Sequence, residues 1–361
     1  MGFTERLDAF QRRHRWAGFP LGVIYKYVDD QGSYLAALMT YYAFLSLFPL
    51  LLMASSILGF VLQGNSDLRD QIFRSALRQF PVIGDQLSRP EGLQGSTVAV
   101  VIGALGALYG ALGVTHATQN AMNIAWAVPR NKRPNPVLSR LRGLLLLATA
   151  GVGILATTFL STLGSDVDAL STDMGTGLKL LVTVASAAVN AAVFILLFRL
   201  ATTHRHSLRR AIPGAVTCAV LWQGLQLLGA AYVGHVIRNS TVTNGLFAIV
   251  LGMIAYLYLA AVTVVLGVEI NVVKAHRLYP RALLTPFTDD VDPTQGDKRA
   301  YADYAEATRS KDFENVDVSF DYEGQYASAR RRAKHAPEAG SEEESGPPTI
   351  PERPVKPHQH Y

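Results

Sequence analysis

Apolar residues run in long blocks along this chain, and the charges gather between them. Six blocks approach or exceed the roughly 18–20 apolar residues that a membrane-crossing helix needs. They are residues 35–62, 97–128, 144–163, 178–200, 211–237 and 244–273. The first holds no charge, and Glu269 is the only acid of the last. Six such blocks in series are too many for the core of one soluble domain. Strands of a membrane barrel would alternate over about ten residues, and these blocks are continuous. The expected fold is therefore all-α, a polytopic membrane protein of six transmembrane helices. In lipid a helix satisfies its own backbone, which an open strand cannot do.

The flanks divide the chain further. Residues 1–34 read as a cytoplasmic amphipathic arm, with Phe3, Leu7 and Phe10 striped among arginines, a pattern suited to an anionic leaflet. Between the first two blocks, Leu68, Ile72, Phe73, Ala76, Leu77 and Phe80 share one helical face, as in a helix lying on the outer leaflet or packed on the bundle. Residues 35–277 form the six-helix domain. Residues 278–361 are rich in Pro, Asp, Glu, Ser and Gln, and are expected to be a disordered cytoplasmic tail.

Charge sets the orientation. The 361 residues carry a net +5, with 22 Lys and Arg against 12 Asp and Glu up to Arg277, and 11 against 16 beyond. Positive residues concentrate on one side: Arg6, Arg12, Arg13, Arg15 and Lys26 before the first block, Arg130, Lys132, Arg133, Arg140 and Arg142 after the second, and Arg199, Arg205, Arg209 and Arg210 after the fourth. Both termini are thus expected in the cytoplasm of a bacterial inner membrane. The basic surplus sits in the hydrophobic portion, which argues for lipid and against nucleic acid as its partner. Oligomeric state has no signature in the sequence. One cysteine, Cys218, excludes an intramolecular disulfide framework.

Polar groups inside lipid are costly and mark a site or a packing seam. His116, Gln119, Asn120 and Asn123 share one face of the second helix. They line either a hydrated cavity or a helix end already in water. Gly103, Gly106, Gly110 and Gly113 of the same helix read as a packing stripe. Pro49, with Ser46 one turn before it, is expected to kink the first helix. Glu269 and Asn271 stand near the inner end of the sixth, Glu269 either in a wet mouth or paired with a loop arginine. Asn190 reads as an interhelical hydrogen bond. No phosphate loop or nucleophile elbow appears. The His204-x-His206 pair reads as loop charge, so no metal, cofactor or catalytic residue is expected.

Several of these residues carry a resemblance. The stretch from Ala37 to Pro49 with Tyr41-Tyr42 and Ser46-Leu-Phe-Pro49, Asn120 and Asn123 before Trp126, Pro213-Gly214, and Leu266-Gly-Val-Glu-Ile-Asn271 resemble the YihY/BrkB family of bacterial inner-membrane proteins. The resemblance covers about Leu21 to Arg277. It implies six membrane helices and a transport-like or envelope role. Some members bear the label ribonuclease BN, a tRNA-processing nuclease. This chain lacks the His-x-His-x-Asp-His motif of metallo-β-lactamase-type tRNA nucleases, since Ser207 and Leu208 follow His206.

The expected function is a multi-pass membrane protein that binds or moves a lipid-like or small anionic solute, without covalent chemistry. Its cavity would open to the cytoplasm and be lined by Ser46, Pro49, His116, Gln119, Asn120, Asn123, Glu269 and Asn271. Arg130, Lys132, Arg133, Arg205, Arg209 and Arg210 would form a basic rim for an anionic head group. The alternatives are a membrane-bound tRNA-processing ribonuclease and an envelope scaffold that recruits partners by its tail.

Overall fold

A computed structural model describes residues 3–61, 97–168, 175–203, 207–232, 242–283 and 293–320. Among these the regular structure is helical throughout, with no strand. The helices are α1 (Phe3–Arg13), α2 (Arg15–Asp29), α3 (Gly32–Val61), α4 (Thr97–Ala125), α5 (Pro136–Asp168), α6 (Gly175–Ala201), α7 (Leu208–Tyr232), α8 (Val242–His276) and α9 (Gln295–Ala307). The proposed outer-leaflet helix around Leu68 to Phe80 lies outside the described residues, as do His204, Arg205 and His206.

Five of these helices, α4 to α8, contain stretches of 26, 22, 18, 25 and 30 residues long and apolar enough to cross a membrane. No more than 33 % of the most apolar window of each is buried inside the protein. The rest of that apolar surface, including Leu105, Leu155 and Leu227, faces outward, which only lipid accommodates without penalty. α3 adds a 30-residue helix without a charged residue. α3 packs on α4, α4 on α5, α5 on α6, α6 on α7, α7 on α8, and α8 back on α3, which closes a ring.

Close approach of backbones sets two sides of the ring. A Cβ on Gly110 would stand 2.4 Å from Ser46 Cβ, one on Gly113 2.2 Å from a ring carbon of Tyr42, and one on Gly106 3.0 Å from Pro49. Three glycines of the stripe, Gly106, Gly110 and Gly113, thus lie in the α3–α4 seam, the packing role that their spacing predicts. α3 runs through Pro49 without ending. The Ser46 hydroxyl donates to the carbonyl of Ala43 at 2.9 Å, so it serves its own helix. Between α7 and α8 the fit is tighter still: a Cβ on Gly214 would lie 1.9 Å from the carbonyl oxygen of Gly267. The Gly214 N–H donates to Asn271 Oδ1 at 2.7 Å across that contact.

Three helices end on a left-handed residue other than glycine: Gln31 (φ 56°) after α2, Ala127 (φ 49°) after α4 and Arg277 (φ 54°) after α8. After α4 and α8, the next N–H reaches back five residues, from Val128 to Asn123 and from Leu278 to Val273. This is the closure that satisfies the last carbonyls of a helix.

The two flanks depart from the sequence expectation. The amphipathic arm is two helices, and α2 packs on α8. The tail expected to be disordered from residue 278 instead continues the fold. Leu278, Arg281, Ala282, Asp297 and Ala300 are each 0 % exposed, and α9 starts from a capping box in which Thr294 and Asp297 satisfy each other's backbone N–H groups. Composition alone misread this segment because its polar residues find partners inside the protein. Residues 321–361 lie outside the described residues.

Gly110→Val should destabilise the protein by at least the ~1–3 kcal/mol typical of overpacking, because backbone atoms of α3 block relaxation. Gly151→Ala, with nothing within 4 Å of its Cβ, should stay within about 0.5 kcal/mol of wild type. Thermal unfolding in detergent compares the two. Equal midpoints for both variants would remove the seam.

Candidate functional site

Two features hold the unusual chemistry of this protein, an ionic cluster and an apolar cavity. The cluster lies where α2, the C-terminal part of α8, the 277–283 segment and α9 meet. Lys26 is 1 % exposed and Arg281 0 %, so neither cation reaches water. Arg281 donates from Nε to Asp297 Oδ1 at 2.5 Å and from Nη2 to Asp29 Oδ2 at 3.0 Å. The rings of Tyr25 and Tyr301 lie 5.9 and 5.8 Å from its guanidinium carbon. Lys26 donates to Asp30 one turn along α2, and its Nζ stands 3.8 Å from Glu269 of α8. The Tyr304 ring of α9 lies 5.0 Å from that ammonium.

Burial and neighbours shift the flanking groups in opposite senses. Burial would lower the Arg281 pKa, but the bond and charge of Asp297, with Asp29 behind, hold it above the usual value. Burial pushes the Asp29 carboxyl up, and the Arg281 charge only partly offsets this. Burial, followed by the charge of Asp30, drives the Tyr304 hydroxyl far upward, so it stays neutral. A charge pair without water is stable only with close geometry and further hydrogen bonds. Asp297 has these, accepting from the N–H groups of Ala282 and Thr294 at 2.9 and 2.8 Å.

The cavity occupies about 320 Å³ among all six long helices. That is near the lower end of small-molecule sites, roughly 300–1,000 Å³. Its wall is mostly apolar, with Met122 of α4, Ala150 of α5, Phe194 of α6 and Trp222 of α7. The polar groups at its edge are Thr115, Thr118, Thr157 and Asn190. Thr115, Thr118 and Thr157 turn their hydroxyls back to carbonyls of their own helices.

None of the eight residues expected to line a polar cavity lines this one. Ser46 and Pro49 sit in the α3–α4 seam. His116 is exposed. Gln119 exchanges two bonds with Ser139 of α5, at 3.0 and 3.1 Å. Asn120 accepts from Arg133 Nη1 at 3.3 Å, and Asn123 accepts from the Thr203 N–H at 3.2 Å. Asn271 holds Gly214. Each amide is used to tie one helix end to its neighbour. Glu269 alone joins the ionic cluster, and its partner is Lys26 instead of a loop arginine.

Of the expected basic rim, Arg130, Lys132, Arg209 and Arg210 are exposed, and Arg133 is half-buried. Burial, then the neighbouring Arg130 charge, lowers the Arg133 pKa. Asp29, Asp30, Arg281, Asp297 and Tyr304 were not singled out from the sequence, and Lys26 was read only as cytoplasmic charge. A readable sign existed for two of them. Lys26 interrupts an apolar run from Leu21 to Val28, and Thr294 stands three residues before Asp297 as a capping pair does. Nothing local marks Arg281. No group of three or more His, Cys, Asp or Glu able to hold a metal occurs among the described residues.

Comparison with known proteins agrees with this architecture. Residues 23–289 match the family described as virulence factor BrkB. The ribonuclease-like protein YfkH of Bacillus subtilis (strain 168) is 24 % identical over 253 residues, 68 % of this chain and 91 % of that protein. The UPF0761 membrane protein of Pseudoalteromonas translucida (strain TAC 125) is 26 % identical over 278 residues, 74 % of this chain and 89 % of that one. No solved structure matches.

Asp297→Ala should lower stability by about 3–5 kcal/mol, the loss usual when one partner of a buried ion pair is removed. It should also speed proteolysis within residues 278–320. Urea unfolding and timed digestion measure both. A variant that matches wild type in both would show that Arg281 does not need its carboxylate.

Proposed function

The chain belongs to the BrkB family of membrane proteins, and on that footing we propose that it binds or moves a lipid-like molecule whose apolar part enters the cavity. Six helices then cross a bacterial inner membrane, α3 being the sixth, with both termini in the cytoplasm. One observation carries the reading: the 320 Å³ cavity is walled by apolar side chains inside a bundle that is itself apolar outside. A hydrated ion or small anion would leave its hydrogen bonds unmet against such walls. An acyl chain or similar tail loses nothing there. Arg130, Lys132, Arg209 and Arg210, exposed at the helix ends, suit an anionic head group.

Trp222 lines the cavity and serves as the reporter. In a Trp16→Phe, Trp126→Phe background, its fluorescence in detergent should be quenched saturably by a spin-labelled fatty acid. Ala150→Phe, which fills the cavity, should weaken that quenching at least tenfold. Quenching that is unsaturable, or the same in Ala150→Phe, would sink the proposal.

The ribonuclease alternative is carried by the name of the Bacillus relative. Purified protein mixed with tRNA and Mg²⁺, Mn²⁺ or Zn²⁺ is expected to leave the tRNA intact. Metal-dependent cleavage abolished by His204→Ala would replace the lipid reading.

A further inference from the structure

Two fully buried carboxyls of the ionic cluster are treated in opposite ways. Asp297 accepts from Arg281 Nε and from two backbone N–H groups. Three donors serve this carboxyl. Glu269 is equally buried, at 0 % exposure, yet neither of its oxygens has a hydrogen-bond partner. Its cation, Lys26, stands 3.8 Å away and is already bonded to Asp30. The carboxyls of Asp30 and Glu269 thus flank the same buried ammonium, bonded to the first and 3.8 Å from the second.

Charge balance decides what joins them. Arg281 is committed to Asp297 and Asp29. Lys26 is left to serve two carboxyls without water. Like charges sharing a dry site do not both ionise, and an uncompensated buried carboxylate neutralises before it pays the desolvation cost. Among the described residues, the other charges beside the pair are Asp29 and Arg281, which hold each other. On α2, Asp29 faces Arg281 and Tyr27 is neutral; on α9, Tyr304 is neutral. Of the helices packed on α8, α3 and α4 contain no Asp, Glu, Lys or Arg, and those of α7, Arg209 and Arg210, are exposed.

We propose that Asp30 and Glu269 form a proton-binding site: one proton, taken from water, is shared between the two carboxyls at neutral pH, and Lys26 balances the single charge that remains. Glu269 would then donate to or accept from Asp30, which gives its orphaned oxygens their partner. The site lies on α8, the helix that also contributes Val264 to the cavity. It holds whatever molecule the cavity takes.

Infrared difference spectroscopy of the full-length protein in an ester-free detergent tests this. At pH 7 the wild type should show a carboxylic-acid C=O band that shifts in D₂O. The band should vanish in Glu269→Gln, whose amide can still donate to Asp30 and keep the fold. It should vanish equally in Asp30→Asn, because the remaining carboxylate then has Lys26 to itself. Asp303→Asn, which changes a half-exposed carboxyl paired with His276, should leave it intact. A wild-type spectrum without an acid band at pH 7 overturns the proposal even where neither variant folds. So does a band that survives both variants and is lost only in Asp29→Asn, which would put the proton on the outer pair.

Discussion

Two cations without access to water, Lys26 and Arg281, organise one end of this protein. A buried charge must be matched by a partner in close geometry, and each cation draws its partners from segments far apart in the chain. Arg281 joins Asp29 to Asp297; Lys26 joins Asp30 to Glu269. Further bonds follow the same route: Gln11 donates to the carbonyl of Arg281, and the Leu283 N–H donates to Asp8. The first two helices and the last one are therefore held on the bundle by charge as well as by packing, with Val23 of α2 and Ala300 of α9 buried in the same apolar core as the long helices.

The long helices were legible because lipid imposes one simple rule on sequence. Blocks of apolar residues gave helices close to the expected bounds, α4 from Thr97 and α6 ending at Ala201 for example. The glycine stripe was legible for the same reason, since small residues at one-turn spacing have few uses besides close packing. The site was not. Helix rotation is not fixed by apolar pattern when lipid and protein neighbours are both apolar. Gln119, Asn120 and Asn123 could be placed on one face, but not told which neighbour would take each amide. Arg281 was hidden more deeply, because a single arginine after a proline reads as a loop charge until Asp29 and Asp297 are seen around it.

Separating the two kinds of contact also separates two roles. The tight seams at Gly110 and Gly214 leave no room for an occupant, and the amides near them are all engaged. The space lies elsewhere, bordered by α5 and α6, which pack mainly on each other and on their ring neighbours. Among the described residues, Gln119, Asn120, Asn123 and Asn271 mark joints, and the cavity wall is mostly apolar.

The pairing of Lys26 with Glu269 also bears on how the chain is made. At about 5–20 residues per second, Glu269 leaves the ribosome on the order of ten to fifty seconds after Lys26. Throughout that interval α2 has no α8 to receive its ammonium. Asp30, one turn along the same helix, is present from the start. It gives Lys26 a local counter-charge while the membrane helices are still being inserted, and passes into the final cluster when α8 arrives.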